Sequence, residues 1–310
     1  MDGYQKLLKL ETTPEALEAT VSYLVGRIKP FLQLLEPVLI CFPDEGSASL
    51  GGLFKEAVLR CEAKPVFWGP DYRWKELLRI AFDTHANTII GPPEIVLGLS
   101  KLAFVTETPL YAYDVIVAGD PFAPWMIKSL KKGFDCNIWG CYAVCSGPVI
   151  GGFSCAQEVG IHIREDVFVP QLHEDGKPVT DTNRGMLHLV SAKDPDAVYD
   201  LQAKVLLHRQ PCCCGCDEPR VAEVKSVNKD KLLREQLEGG LLTWSSVLDY
   251  RVDYTEFGAA LELVVFPGEQ IPDLPSFAKL NVRPWNPETD IPFCMRPFAE
   301  KNPEKEVEDY

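Results

Sequence analysis

Cysteine is concentrated at one point of this sequence, in a pattern that can support metal chemistry. Of the eleven cysteines in 310 residues, four fall in the run Cys212-Cys213-Cys214-Gly215-Cys216. Cys212 and Cys214 stand two positions apart before a glycine, so a turn can direct both thiolates at one ion. About 50 residues upstream, Cys155 and His162 offer two further ligands in a Gly-rich segment. Together they make up the four nitrogen and sulfur donors that structural zinc takes in a tetrahedron.

These residue types and spacings predict a closed, structural zinc site. Its predicted ligands are Cys155, His162, Cys212 and Cys214. Cys213 or Cys216 could replace either of the last two ligands. The alternatives are a different metal, a redox role, or a local run of buried or reactive thiols that holds no metal.

Other forms of cysteine chemistry fit the sequence less well. A disulfide framework suits small secreted domains, whereas this chain is large, has an odd cysteine count and begins without a secretory signal. A nucleophilic cysteine, Cys141 or Cys145 beside His162, is conceivable, but a buried or turn cysteine is the default. We therefore expect reduced thiols or thiolate ligands in a cytoplasmic protein.

The first half of the chain alternates helical and strand patterns with short connections. Helices are predicted over about residues 11–34, 53–62, 73–83, 93–104 and 122–132, and strands over 38–42, 65–68, 87–90 and 114–118. Thr13 or Thr12 can cap the first helix, and Pro14 suits its first turn. Such alternation implies parallel strands joined by right-handed crossovers. The predicted fold class is therefore α/β, a parallel sheet with flanking helices.

The second half reads as a mostly antiparallel β lobe. Strand-like runs separated by Gly-rich turns lie at 148–153, 166–172, 185–190, 221–227, 247–254 and 260–266. After Pro267 the sequence is dense in proline and ends in a charged stretch, so we expect it to wrap the surface and then fray. The predicted organisation is an α/β subdomain at 1–140, a β lobe with the zinc site at 141–267, and a Pro-rich tail at 268–310.

Several short motifs follow one another in the order found in a known enzyme family. Val117-Ala118-Gly119-Asp120-Pro121 lies at a predicted strand end, and Ile138-Trp139-Gly140 follows it. Cys155 then precedes Gly160-Ile161-His162, and Cys212-Cys213-Cys214-Gly215 closes the series. The segment resembles the adenylate-forming superfamily, specifically the phenylacetate-CoA ligase family, with its Gly-Glu-Pro adenine turn, Tyr-Gly motif and Cys-x-Cys-Gly stretch.

The resemblance implies a fold like part of the large N-terminal domain of adenylate-forming enzymes. It also implies a ligand crevice for an acyl, aryl or CoA-type molecule. The residues expected near that crevice are Gly91, Gly119, Asp120, Trp139 and Gly140.

The sequence departs from the family where the family performs its chemistry. Ala143 stands where a glutamate would hold magnesium, and an alanine cannot coordinate a hard cation. Ala203 occupies the place of the ribose-binding aspartate, for which Asp200 could substitute if the register shifts. Lys279 is the nearest counterpart of the catalytic lysine of the mobile C-terminal lobe.

The phosphate loop of the family is expected to be absent from this sequence. The Gly/Ser-rich segment 46–52 follows a strand without the lysine that reaches the phosphates, so a tight turn into a helix is the preferred interpretation. Without phosphate loop, magnesium ligand and ribose aspartate, nothing is preorganised to stabilise the charge of adenylyl transfer. ATP and magnesium are therefore disfavoured as cofactors of this chain alone.

A fold retained without its chemistry suggests binding. The first hypothesis is a catalytically degenerate ligase relative that serves as a ligand-binding or assembly protein. The rival hypothesis is an atypical acyl- or aryl-CoA ligase or acyltransferase, active alone or with a ligase-like partner subunit that supplies the phosphate loop.

Charge and hydropathy exclude two further classes. The net charge of −14 and a sequence pI near 4.9 disfavour binding to nucleic acid or to anionic lipid surfaces. No apolar run approaches the ~20 residues that a membrane-spanning helix needs. A small-molecule ligand is the expected partner.

Overall fold

The computed structural model describes residues 3–69, 71–119, 130–131, 136–144, 148–155, 157, 160–227, 246–255, 258–268 and 279–297. The helices are α1 Gly3–Glu11, α2 Pro14–Ile28, α3 Leu50–Arg60, α4 Trp74–Thr84 and α5 Pro93–Val105. The strands are β1 Pro37–Ile40, β2 Lys64–Phe67, β3 Thr88–Gly91, β4 Asp114–Gly119, β5 Asn137–Val144, β6 Val149–Ser154, β7 Ile161–Ile163, β8 Phe168–Glu174, β9 Lys177–Val179, β10 Arg184–Ser191, β11 Val198–His208, β12 Arg220–Ser226, β13 Val247–Thr255, β14 Gly258–Val265 and β15 Lys279–Pro284.

Local signals set the limits of α2. The Thr13 side chain accepts a hydrogen bond from the backbone N–H of Ala16 at 3.3 Å, and Pro14 occupies the first turn, as predicted. The helix ends at Ile28 in a short 3₁₀ turn because Pro30 has no N–H to continue the α-helical ladder. The predicted helix over 11–34 was therefore too long, and it missed the separate helix α1.

The first half of the chain forms the predicted parallel sheet. Its strands lie in the order β2-β1-β3-β4-β5, with every neighbouring pair parallel. Successive side chains of a strand point to opposite faces. Val38 and Ile40 pack in one core with α2 and α3, whereas Leu39 packs in the other with α4 and α5. Helices on both faces explain why the central strands β1, β3 and β4 are almost entirely buried, whereas the edge strand β2 is partly exposed. The α/β prediction is confirmed.

The parallel sheet continues directly into antiparallel strands. β5 pairs parallel with β4 on one side and antiparallel with β6 on the other. From there the order is β6-β7-β12-β11-β10-β8-β9, which gives a single sheet of twelve strands in the described residues. The zinc-ligand candidates lie in this antiparallel part.

A second sheet covers α5. β13 and β14 are antiparallel, and β15 joins β14 in parallel. Val247 and Leu263 share a hydrophobic core with Leu99 of α5. β15 belongs to the segment predicted as a surface-wrapping tail, and Trp285 and Phe293 beyond it pack against the same core. The division of the chain at residues 140 and 267 stays a prediction.

Two regions of the predicted organisation fall outside the description. The helix predicted over 122–132 is described only at residues 130–131, and residues 298–310 of the charged end are not described. None of the helices in the described part of the chain has both the length and the hydropathy needed to span a bilayer.

Candidate functional site

Four side chains converge at the junction of β6, β7 and the loop before β12. The ligand atoms of Cys155, His162, Cys212 and Cys214 all lie within 4.8 Å of one another. Cys155 Sγ is 3.4 Å from Cys212 Sγ, and Cys214 Sγ is 3.4 Å from His162 Nε2. The structure thus brings together all four residues singled out in the sequence.

A tight turn positions two of the thiols. The Cys212 N–H donates to the Cys216 carbonyl at 3.0 Å, and the Gly215 N–H donates to the Cys212 carbonyl at 2.9 Å. Gly215 has φ of +83°, a left-handed conformation that glycine adopts without a steric cost. The glycine after Cys214 is therefore part of the geometry of the site.

Of the other two residues, Cys155 lies in the β6–β7 connection and His162 lies in β7. Cys155 directly follows β6, and its N–H donates to the Gly160 carbonyl at 3.1 Å. Gly160 has φ of +129°, and a Cβ there would lie 2.6 Å from the Val221 carbonyl oxygen. His162 pairs with Arg220 of β12 and is 1% exposed. Close approach of this connection to β12 thus buries the imidazole beside the cysteine turn.

Backbone and charged groups around the cluster fix its orientation. His162 Nδ1 lies 2.9 Å from the Glu218 carbonyl, which can only accept, so Nδ1 carries the proton and Nε2 faces Cys214 as a lone-pair donor. Arg27 of α2 forms an ion pair with the Glu218 carboxylate and contacts Cys216 Sγ at 3.4 Å. Sequence reasoning missed Arg27 because its separation from the cysteine run, 189 residues, leaves no local signal.

The thiols of the turn have different acidities. The backbone N–H of Cys214 is the main cause that lowers the pKa of Cys212, to about 6, so a thiolate is present at neutral pH. Burial raises the pKa of Cys214. A cation among these sulfur atoms would favour the thiolate form of both.

The donor set fits tetrahedral zinc. Zinc–sulfur bonds of about 2.3 Å and zinc–nitrogen bonds of about 2.0 Å place neighbouring ligand atoms about 3.5–3.8 Å apart. The two contacts of 3.4 Å are close to this spacing. Four protein ligands would complete the coordination shell and leave no position for a reacting molecule.

The alternative cysteines lie elsewhere. Cys213 is exposed and does not belong to the converging group, and Cys216 contacts Arg27 and the Glu218 side chain. Cys141 is buried on β5 among hydrophobic side chains, and Cys145 lies outside the described residues. Burial among apolar neighbours is typical of an inert structural cysteine.

Two of the predicted crevice residues lie side by side at the carboxyl ends of parallel strands. Gly91 ends β3 and pairs with Val117, and Gly119 ends β4 two positions further on. A Cβ at Gly91 would lie 2.8 Å from the Cys41 Cβ, so the packing requires glycine. Open α/β sheets bind ligands outside this edge.

The other described crevice residues, Trp139 and Gly140, do not lie at the carboxyl ends of the strands. Gly140 pairs with Val117 inside the sheet, and its N–H donates to Ser154 Oγ at 3.0 Å. The Trp139 ring stacks on Phe31 at 5.3 Å, and its Nε1–H donates to Asp114 at 2.8 Å, towards the amino end of β4. Asp120 lies outside the described residues.

The structure also describes the four residues at which the sequence was expected to lack the chemistry of adenylate-forming enzymes or to offer a substitute for it. Ala143 is fully buried on β5, and Ala203 is 1% exposed on β11. The Asp200 carboxylate accepts from the Gln202 N–H at 2.8 Å and lies 3.9 Å from His188 Nε2. Lys279 is exposed at the start of β15.

The Gly/Ser-rich segment before α3 caps that helix. Ser49 Oγ accepts from the Gly52 N–H at 3.0 Å and donates to the Gly46 carbonyl at 2.8 Å. The serine side chain thus satisfies an amide of the helix start, and this arrangement agrees with a tight turn into a helix. Ala143 and Ala203, at the positions where the family resemblance leads us to expect the magnesium and ribose ligands, are buried and carry no oxygen ligand in their side chains.

Comparison with known proteins identifies the fold of this chain. No protein-family profile and no curated protein match the sequence. Solved structures do match. A 2-hydroxyisobutyryl-CoA ligase in the postadenylation state, in complex with R3-HIB-AMP, has a TM-score of 0.58 at 13% identity over 80% of this chain. A benzoate CoA ligase from Burkholderia xenovorans LB400 has a TM-score of 0.54 at 13% identity over 88% of it.

The chain has the fold of adenylate-forming enzymes. A variant of the amide bond synthetase McbA from Marinactinospora thermotolerans also matches, with a TM-score of 0.52 at 12% identity over 85% of this chain. The chain spans 58% of the length of the 2-hydroxyisobutyryl-CoA ligase, 64% of the benzoate CoA ligase and 62% of the McbA variant. The matching structures are acyl- and aryl-CoA ligases and an amide bond synthetase. Sequence identities of 12–13% establish a shared fold only.

Proposed function

We propose that this chain is a catalytically degenerate, phenylacetate-CoA ligase-like protein that binds an acyl, aryl or CoA-bearing ligand and serves as a binding or assembly protein. The ligand lies at the carboxyl ends of β3 and β4, where Gly91 and Gly119 let the backbone approach it. The observation that carries the proposal is the adenylate-forming fold, combined with buried alanines at the two positions where the sequence resemblance leads us to expect the magnesium and ribose ligands.

The ligand class follows from the neighbours. One of them, 2-hydroxyisobutyryl-CoA ligase, is known in complex with 2-HIB-AMP and CoA. A shared fold does not carry function by itself, because sites perform chemistry. The strands that place Gly91 and Gly119 in this chain nevertheless end at the edge where α/β sheets hold their ligands, which supports a related ligand.

The alanines argue against adenylation. A magnesium ion needs oxygen ligands, and Ala143 has none and is enclosed by hydrophobic residues such as Ile150 and Phe153. Ala203 is likewise enclosed, in the hydrophobic core of the antiparallel strands.

The metal proposed for the cluster is structural zinc. It would join the loop before β12 to the β6–β7 connection through Cys155, His162, Cys212 and Cys214. When bound, zinc would supply cross-linking free energy to the fold. The residues of the chain supply four donors and the hydrogen bond from His162 to Glu218 that orients the imidazole.

Isothermal titration calorimetry tests the ligand proposal. Purified protein is titrated with CoA, with benzoyl-CoA and phenylacetyl-CoA, with the free acids benzoate and phenylacetate, and with ATP–magnesium. We expect heat from a CoA compound and none from ATP–magnesium. The variant Gly119→Val should weaken CoA binding by at least about tenfold by filling the strand end, whereas Gly26→Ala, in open space on α2, should not.

Each outcome separates the hypotheses. Micromolar ATP binding that depends on magnesium would overturn the degenerate assignment and favour the rival, an atypical acyl- or aryl-CoA ligase or acyltransferase that is active alone or with a partner subunit. Absence of binding by every CoA compound and by the free aryl acids would overturn the ligand class. Thermal unfolding of both variants confirms that lost binding does not reflect lost folding.

A further inference from the structure

Two thiols of the cysteine and histidine cluster stand in direct sulfur–sulfur contact. Cys155 Sγ lies 3.4 Å from Cys212 Sγ, and both residues are free, partly exposed cysteines. A disulfide bond brings its two sulfur atoms to about 2.05 Å, which leaves a gap of about 1.4 Å. Rotation of the two side chains about their Cα–Cβ bonds can close a gap of this size. The pair is therefore placed for oxidation as well as for metal binding.

The cysteine turn lies at the surface of the protein. Every second residue of the segment 211–217 is exposed, and Cys212 between two of them is partly exposed. His162 on the other side of the cluster is only 1% exposed. A small oxidant in solution therefore has access to the sulfur side of the cluster, and the oxidation of a cysteine depends on such exposure.

Cys212 has two sulfur neighbours, and they differ in where they come from. Cys214 contacts Cys212 within one turn, which is held by the hydrogen bond from the Gly215 N–H to the Cys212 carbonyl at 2.9 Å. Cys155 approaches from a separate segment, 57 residues away in the sequence. A bond from Cys212 to Cys155 therefore forms between two segments and leaves the backbone of the turn as it is.

We propose that Cys155 and Cys212 form a reversible redox switch, in which a disulfide bond replaces zinc as the crosslink between the β6–β7 connection and the loop before β12. The inference rests on the zinc site proposed above for its metal-bound state. After oxidation, Cys214 and His162 supply only two of the four donors that structural zinc takes, so the metal is released. The two segments stay joined, because the disulfide bond spans the same junction.

A peroxide supplies the oxidising equivalents. The thiolate of one cysteine of the pair attacks an oxygen atom of hydrogen peroxide, the O–O bond breaks, and a sulfenic acid and a hydroxide ion form. The thiolate of the other cysteine then attacks the sulfenyl sulfur, the S–S bond forms, and a second hydroxide ion leaves. The two thiolates lose two electrons, which the peroxide oxygens gain, and both hydroxide ions take up protons to become water. A dithiol reductant reverses the oxidation by thiol–disulfide exchange.

Stepwise oxidation of the purified full chain with hydrogen peroxide tests the proposal. A chromogenic chelator follows the release of zinc, and mass spectrometry of unreduced tryptic peptides identifies the bond that forms. We expect one zinc ion released per disulfide bond, the loss of two free thiols, and a crosslinked pair of peptides that contains Cys155 and Cys212. Dithiothreitol with added zinc should restore the starting state. Cys213→Ser, an exposed neighbour outside the cluster, should behave like the wild-type protein.

Thermal unfolding distinguishes failure of the switch from failure of the zinc site. The oxidised, zinc-free chain should melt at least about 3 °C above the reduced chain treated with EDTA, because a crosslink between residues 57 positions apart constrains the unfolded state. Cys155→Ser, shown by circular dichroism to fold, should lose this gain. A chain that holds no zinc yet forms the Cys155–Cys212 bond supports the redox pair and refutes the metal site. Zinc binding without this bond after oxidation, or a bond from Cys212 to Cys214 in its place, overturns the switch.

Discussion

Glu218 orients His162 within the cysteine cluster. The backbone carbonyl of Glu218 accepts a hydrogen bond from Nδ1 at 2.9 Å, which leaves Nε2 3.4 Å from Cys214 Sγ. A histidine held in this way needs little reorganisation to bind a metal, because both its tautomer and its ring direction are already set. The same loop is attached to α2 through the ion pair between Glu218 and Arg27.

Removal of the metal is expected to destabilise the fold. Protein purified without chelator should contain about one equivalent of zinc, and EDTA should lower its melting temperature by about 5 °C or more, reversed by added zinc. Cys155→Ser and Cys214→Ser should lose both the metal and the response to EDTA. Cys213→Ser, an exposed neighbour outside the cluster, should keep them. Zinc well below one equivalent in the wild-type protein, with no loss in either variant, would refute the site.

Arg27 is expected to tune metal affinity without binding the metal. Arg27→Ala leaves the four ligands in place but removes the ion pair to Glu218 and the contact to Cys216. Groups that support ligands typically account for 10–100-fold in metal affinity, so we expect a loss of about tenfold in a competition titration with a chromogenic chelator. Arg60→Ala is the control, since its ion pairs to Glu18 and Glu56 lie elsewhere. Equal affinity of the Arg27 variant and the wild-type protein would show that the loop is held by the cysteines alone.

Local patterns predicted much of the fold. The cap at Thr13, the helices after β1 and β3, and the buried strand at Val38 follow from spacing and turn chemistry alone. β15 was missed because its parallel partner β14 lies 19 residues upstream, beyond the reach of a local pattern, and because its surroundings are rich in proline, which disfavours strands in general. Whether β14 and β15 pair in parallel depends on how they pack against the core. A short window of sequence carries no information about that packing.

In the candidate site, too, some features could be predicted from the sequence and others could not. Cys155, His162, Cys212 and Cys214 were recognisable because cysteine and histidine are rare and their spacing is typical of metal binding. The surroundings of Trp139 were not recognisable, since its contacts with Phe31 and Asp114 come from separate elements. Tertiary contacts between common residue types leave no motif.

Gly98 is expected to be essential for the packing of α4 on α5. A Cβ at Gly98 would lie 2.2 Å from the Trp74 ring, and Trp74 is 1% exposed. Gly98→Ala must displace that ring or the helix, so we expect a loss of about 1–3 kcal/mol in the free energy of unfolding, measured by urea titration. Gly26→Ala, also within a helix but with nothing within 4 Å of its Cβ, should instead gain about 0.5–1 kcal/mol. Opposite signs for two identical substitutions would be the signature of this contact, and a neutral Gly98→Ala would contradict it.

Asp249 is expected to make stability fall as the pH rises from about 4 to about 7. The residue is buried, its carboxylate accepts hydrogen bonds from the N–H groups of Tyr250 and Phe293, and burial raises its pKa to about 7. The folded state therefore keeps a proton that the unfolded chain releases near pH 4, and this group lowers stability through that window by at most about 4 kcal/mol. In urea titrations between pH 4.5 and 7.5, Asp249→Asn should remove this fall relative to the wild-type protein. Asp253→Asn, on the same strand but exposed, should leave it unchanged. Parallel pH profiles for Asp249→Asn and the wild-type protein would show that the buried carboxyl is not the group that titrates.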